Sequence, residues 1–213
     1  SSPLTRAIQT TAIGLAPLLR RSGARLRLMA NLREKKNLGG FDSAGAARGK
    51  EVRGRLRETT TPLFRGSEGI SEHLLSGTPL DTTEVEGKWW NDSPESKAEV
   101  RTRIDELLYQ LQYSAEDKIA LVGHSHFFRE IFRYHLHPGY RGRNRIMAMR
   151  LSGQKLSNCG VVAITFDFSD RDALYAKLGE EGVRGRAEAD GVITDVKLIL
   201  GTTLVGSEKH LKL

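Results

Sequence analysis

Leu4, Ala7, Ile8, Thr11, Ala12, Leu15 and Leu19 recur at the three-and-four spacing of a single helix face, so the chain is predicted to open with a helix. Ser2 reads as its N-cap and Pro3 as its first helical residue; Pro17 roughens the far end and Ser22-Gly23 closes it. Strict alternation then replaces the stripe. Leu26 and Leu28 against Arg25 and Arg27 predict a strand over 24–32 with one wet face. From Arg33 to about Arg65 no period holds, which predicts a surface excursion with a short helix near 45–57. Residues 70–75 read as a short helical piece, and 82–91 as a loop carrying Trp89 and Trp90.

The clearest stripe follows. Val100, Ile104, Leu107, Leu108 and Leu111 share one face, with Asp92 or Ser93 as cap and Pro94 as the opening residue. Lys118 to Gly123 is a short continuous apolar run, the pattern of a buried parallel strand. A helix bearing Phe128, Ile131, Phe132 and His135 comes next, and strands are predicted at 161–168 and 192–200. Strands alternating with helices predict an α/β domain with a mainly parallel sheet flanked by helices. The expected organisation is one domain over 1–213, a surface insertion at 45–92, and a C-terminal extension at 170–213 with no assigned role.

Composition narrows the classes. With 38% hydrophobic residues among 213 a core is possible, and no apolar run approaches the roughly 20 residues of a membrane-spanning helix. The one cysteine, Cys159, excludes an internal disulfide framework and a Cys-rich zinc module. The net charge of +7 is uneven: residues 1–66 carry 14 Lys/Arg against 4 Asp/Glu. Such a basic first third attracts anions, whether phosphate groups, nucleic acid or acidic lipid. A polyanion-binding module would use Arg48, Lys50, Arg53, Arg55 and Arg57, with Arg141, Arg143 and Arg145. Aromatic residues are scarce in both clusters, so the stacking expected for single-stranded nucleic acid is missing, and nucleic acid is disfavoured as a partner.

Chemistry collects at the carboxyl ends of strands in open α/β sheets. The turn after the 118–123 run, Gly123-His124-Ser125-His126-Phe127-Phe128-Arg129, sits at such a place, next to the positive end of a helix where an imidazole can meet an anion. A nucleophile elbow at Ser125 requires glycine where Phe127 stands. A metal site built from His124 and His126, or His135 and His137, has neighbours two apart that do not share a helix face, and no third ligand is spaced to complete it. A capping or core histidine is the plain structural alternative.

The opening Ser2-Pro3-Leu4-Thr5-Arg6-Ala7-Ile8-Gln9-Thr10 resembles the S-P-L-x-R-A-x-Q-T stretch of the histidine phosphatase superfamily, which includes the cofactor-dependent phosphoglycerate mutases. Leu32-Arg33-Glu34, with Gly39-Gly40 after it, is similar to the family's L-x-E segment followed by glycines. Gly123-His124-Ser125 resembles its second histidine motif, and Asn158-Cys159-Gly160 its late strand entry, so the resemblance spans about residues 1–167 in order. It implies a phosphoglycerate mutase-like fold and phosphoryl transfer through a phosphohistidine, with no metal and no cofactor. Arg6 would clamp the phosphoryl group, His124 would donate a hydrogen bond to it, and Ser125 would join the substrate-binding residues. Glu34 would protonate the leaving oxygen from a raised pKa, although Asp42 and Glu58 lie in the same stretch and can serve instead. The implied partner is a phosphorylated small molecule or phosphoprotein, and a phosphatase fits better than a mutase because no closing elements that would exclude water are evident.

The family's defining Arg-His-Gly is absent: the histidines are His73, His124, His126, His135, His137 and His210, and none has those neighbours. The expectation is a chain that begins one strand-plus-loop unit late, lacking its first strand and nucleophile, with an altered, catalytically dead phosphate-binding scaffold as the alternative. The compartment stays open, with the cytoplasm as the default, since a targeting segment would belong to the missing part.

Overall fold

Leu4 and Ile8 from the helical stripe meet Leu26 and Leu28 from the alternating segment in one buried cluster of the computed structural model. The structure describes residues 1–36, 46–64, 66, 79–170 and 191–206. The chain gathers into two compact units, Ser1–Phe127 and Phe128–Leu213. The expected helical piece at 70–75, Asp42, His73 and His210 lie outside the described residues.

In the first unit, α1 (Thr5–Gly14) and α2 (Ala16–Ser22) follow each other, and α2 stops at Gly23, whose φ of 64° is the left-handed end that glycine allows. The helix begins at Thr5, later than its sequence signals. Ser2 and Pro3 lie ahead of it, and the Ser2 hydroxyl accepts the Leu4 N–H at 3.3 Å instead of capping from the N-cap position. The alternating segment yields only β1 (Leu26–Arg27), paired parallel with β2 (Leu80–Asp81), before a 3-10 turn at Ala30–Leu32. The excursion after Arg33 is not peripheral. α3 (Glu51–Thr60) buries Val52, Leu56 and Thr60, one residue per turn, and Ala47, Val85 and Trp89 join the same core. A stripe one residue wide among Arg53, Arg55 and Arg57 is too thin to register as an apolar period.

α4 (Lys97–Gln112) carries the predicted face, with Val100, Ile104, Leu107 and Leu108 buried. Its start is set by Ser96, whose hydroxyl accepts from Glu99 N–H while the Glu99 carboxylate accepts from Ser96 N–H. That reciprocal box, and not Asp92, Ser93 or Pro94, fixes the first turn. The 118–123 run is not a strand. Residues 118–120 are exposed, with Ile119 at 43%, residues 121–123 are half-buried, and among the described residues only the Val122 carbonyl finds a backbone partner.

α5 (Ser125–His135) begins in the first unit and continues into the second. The second unit adds α6 (Pro138–Arg143), α7 (Arg145–Gly153) and four strands: β3 (Lys155–Leu156), β4 (Val161–Phe166), β5 (Ile193–Ile199) and β6 (Leu204–Val205). β4 pairs antiparallel with β5, and β3 antiparallel with β6. Phe132, Leu136, Tyr140, Leu151 and Ile193 form its buried interior, so the described part of 170–213 belongs to the packing of this unit. The molecule is thus mixed helix and strand, 49% against 13% of the described residues, with three two-stranded sheets of which β1·β2 alone is parallel. Among the described residues no helix is long and apolar enough to cross a membrane.

Candidate functional site

His124 follows the 118–123 run, one residue before α5, and is buried at 7% exposure. Its Nε2 lies 2.8 Å from the Ser2 Oγ, with one hydrogen shared between them, and this contact fixes the ring's orientation. Ser2 is itself held by its N–H on the Val122 carbonyl at 2.8 Å and by the Leu4 N–H on its hydroxyl. The start of the chain and residue 124 are therefore tied together by backbone and side chain at once. Burial first, then the positive charges of Arg6 and Arg103, push the His124 pKa down to about 3. The imidazole is neutral at pH 7 and offers a hydrogen bond; the positive charge beside it comes from the two guanidinium groups.

Arg6 lies exposed in the first turn of α1, and its charge reaches the His124 imidazole. Glu34 is buried, follows the 3-10 turn at Ala30–Leu32, and accepts the Lys35 N–H at 2.8 Å. Its negative charge acts on Arg103, and the Arg103 charge acts on His124, so the three belong to one electrostatic neighbourhood. Ser125 is half-buried as the first residue of α5. Glu58 lies exposed on α3. Arg129, a turn further along α5, spends its charge on Glu130 at 3.5 Å.

Sequence reasoning missed Arg103 and Glu95. Arg103 Nε and Nη2 straddle the Glu95 carboxylate at 3.0 and 2.9 Å, while Nη1 donates to the carbonyls of Asn31 at 3.0 Å and Arg33 at 2.7 Å. Arg33 reaches the same carboxylate at 2.9 Å, and the Lys36 N–H adds a further bond. The guanidinium lies 4.4 Å from the centre of the Phe127 ring, so the residue that blocks a nucleophile elbow serves as a wall for this cation. Burial and the Arg33 charge lower the Arg103 pKa to about 10 against the pull of Glu95, which leaves it charged at pH 7. The signal was present: position 103 falls on the apolar stripe between Val100 and Leu107, and a charge there needs a buried partner.

The other candidates separate. Trp89 is a core residue whose Nε1 donates to the Ala47 carbonyl at 2.8 Å, whereas Trp90 faces the cations of Arg48 at 5.5 Å and Lys88 at 5.9 Å. Arg141 donates to the carbonyls of Phe132, Arg133 and Leu136 and so closes the C-terminal end of α5. His135 is buried, and the His137 Nδ1 caps α6 by accepting the Gly139 N–H. Among the described residues no three His, Cys, Asp or Glu side chains cluster as metal ligands would. An open depression of about 390 Å³ bordered by Asn31, Thr102 and Arg103 includes neither Arg6 nor His124 in its walls. No family model, curated protein or solved structure matches the chain.

Proposed function

We propose that the first unit binds the phosphoryl group of a phosphomonoester in the manner of the histidine phosphatases. The observation that carries this reading is the Ser2–His124 contact at 2.8 Å together with the Arg6 charge felt at that imidazole. A phosphoryl dianion needs a fixed cation and directed hydrogen bonds on its oxygens, and Arg6 with a neutral His124 supplies both types. Glu34, buried beside Arg103, is the acid that would deliver a proton to the leaving oxygen, and Ser125 borders the substrate. The attacking histidine of the Arg-His-Gly type is not in this sequence, so the chain as given binds the anion without transferring it. In this reading the sheet is the parallel one of that superfamily. Its support is the parallel β1·β2 pair, with Ser1 and Ser2 bonded to β1 on one side and to Val122 on the other.

A scaffold that holds phosphorylated partners shares this pocket and differs only in lacking turnover. Calorimetric titration with tungstate, a metal-oxide dianion of phosphate shape, tests both. The 213-residue chain is expected to bind it, and Arg6→Ala and His124→Ala each to weaken binding by about tenfold or more. Equal affinity in all three proteins would remove the site.

A further inference from the structure

The Arg103 guanidinium gives its edge and its face to different partners. Along the edge, Nη1 donates to the Asn31 carbonyl at 3.0 Å and the Arg33 carbonyl at 2.7 Å, while Nε and Nη2 hold Glu95. Against the face, 4.4 Å from the guanidinium carbon, lies the ring of buried Phe127. Only a planar fork does both, because an ammonium has no edge to share and no face to stack.

These partners belong to two different turns. The Arg33 carbonyl shares a planar peptide unit with the Glu34 nitrogen, so a bond to it fixes the plane from which the Glu34 side chain starts. Glu34 is buried there, and its carboxylate accepts the Lys35 N–H at 2.8 Å. Phe127 stands in the first turn of α5, three residues after His124 and two after Ser125. Its ring, pressed on Arg103, anchors the turn that presents the His124 imidazole to Ser2.

Stability does not by itself call for a cation at this place. Position 103 lies on the buried face of α4, and a buried ion pair is commonly matched by apolar residues of the same volume. We propose that Arg103 is a positioning residue, a single brace that sets the Glu34 turn by its edge and the His124 turn by its face. It acts through those two residues and not on the substrate itself. Its use in phosphoryl binding rests on the reading above, whereas the brace is a property of the chain without any anion.

The test reads both ends of the brace by NMR in the full chain, with amide exchange at Lys35 for Glu34 and the ring nitrogen signals for His124. In the wild-type chain the Ser2 contact is expected to hold the ring in one tautomer, with two well-separated nitrogen signals. Phe127→Leu keeps every Arg103 hydrogen bond and removes only the stacked ring. It is expected to average the His124 signals, to weaken tungstate binding about threefold or more, and to leave Lys35 unchanged. Arg103→Ala is expected to disturb both ends, with exchange at Lys35 faster by about tenfold or more. Added methylguanidinium should restore both, and methylammonium neither. In Arg33→Ala the edge and face of Arg103 keep their partners, so both signals should stay as in the wild-type chain. Wild-type ring signals in Phe127→Leu overturn the inference, as do equal responses in Arg33→Ala and Arg103→Ala or equal rescue by the two cations. Should Arg103→Ala not fold, Phe127→Leu and Arg33→Ala still decide. A wild-type chain that ignores tungstate removes the phosphate reading and leaves the ring and Lys35 signals to judge the brace.

Discussion

Arg103 occupies a place that the apolar face of α4 would give to leucine, and its 4% side-chain exposure makes the choice costly unless every donor is matched. Four bonds to Glu95, Asn31 and Arg33 match it, and they fasten the turn that carries Glu34 to the helix. Removing the anion should therefore hurt more than removing a surface charge. Glu95→Ala leaves two guanidinium groups facing each other without a counterion and is expected to cost about 3–5 kcal/mol in urea unfolding, with Glu95→Gln retaining part of that. A loss under about 1 kcal/mol would show that the network is solvated. At this scale His124 stood out in the sequence from its place in the turn after an apolar run, and Arg6 only through the resemblance carried by the opening Ser2–Thr10 stretch. Glu95 did not, because its meaning depends on Arg33, 62 positions away, and Arg103 was marked only as a charge on an apolar stripe, with its partner not evident from the sequence.

Among the elements, α4 was visible from its stripe, but its beginning was not, since Pro94 competes with a Ser96–Glu99 box as a start signal. The 118–123 run has the composition of a buried strand, yet a strand exists only when a neighbour's backbone meets it. That pairing is non-local and leaves no mark in the run itself. β4 and β5 were legible because each supplies six or seven residues to a long ladder. A glycine just ahead of β5 makes their setting testable. A Cβ on Gly191 would lie 2.4 Å from the carbonyl carbon and oxygen of Leu136, backbone atoms that cannot swing aside. Gly191→Ala is expected to destabilise the chain by about 1–3 kcal/mol in the same unfolding experiment. A neutral result would mean that the backbone at Leu136 gives way.

For the molecule as a whole, the buried imidazole links stability to pH. The His124 pKa is lowered from 6.5 to about 3, so the unfolded chain binds a proton between those values that the folded chain refuses. The folded state is favoured above pH 6.5 and loses ground as pH falls toward 3. Relative to His124→Gln, the wild-type chain should lose up to about 1.4 kcal/mol per pH unit below 6.5, measured by urea unfolding at pH 7.0, 6.0 and 5.0. Parallel pH profiles would contradict a buried neutral ring.

The central claim, that Arg6 and His124 address one anion, has a direct readout in the imidazole itself. The measurement is an NMR titration of the His124 ring with and without tungstate, in the wild-type chain and in Arg6→Ala. Bound dianion offsets the charges of Arg6 and Arg103, so the account predicts a free-state pKa far below 6.5, a rise of at least about one unit when tungstate binds, and little response in Arg6→Ala. An imidazole that titrates near 6.5 and ignores tungstate would contradict it.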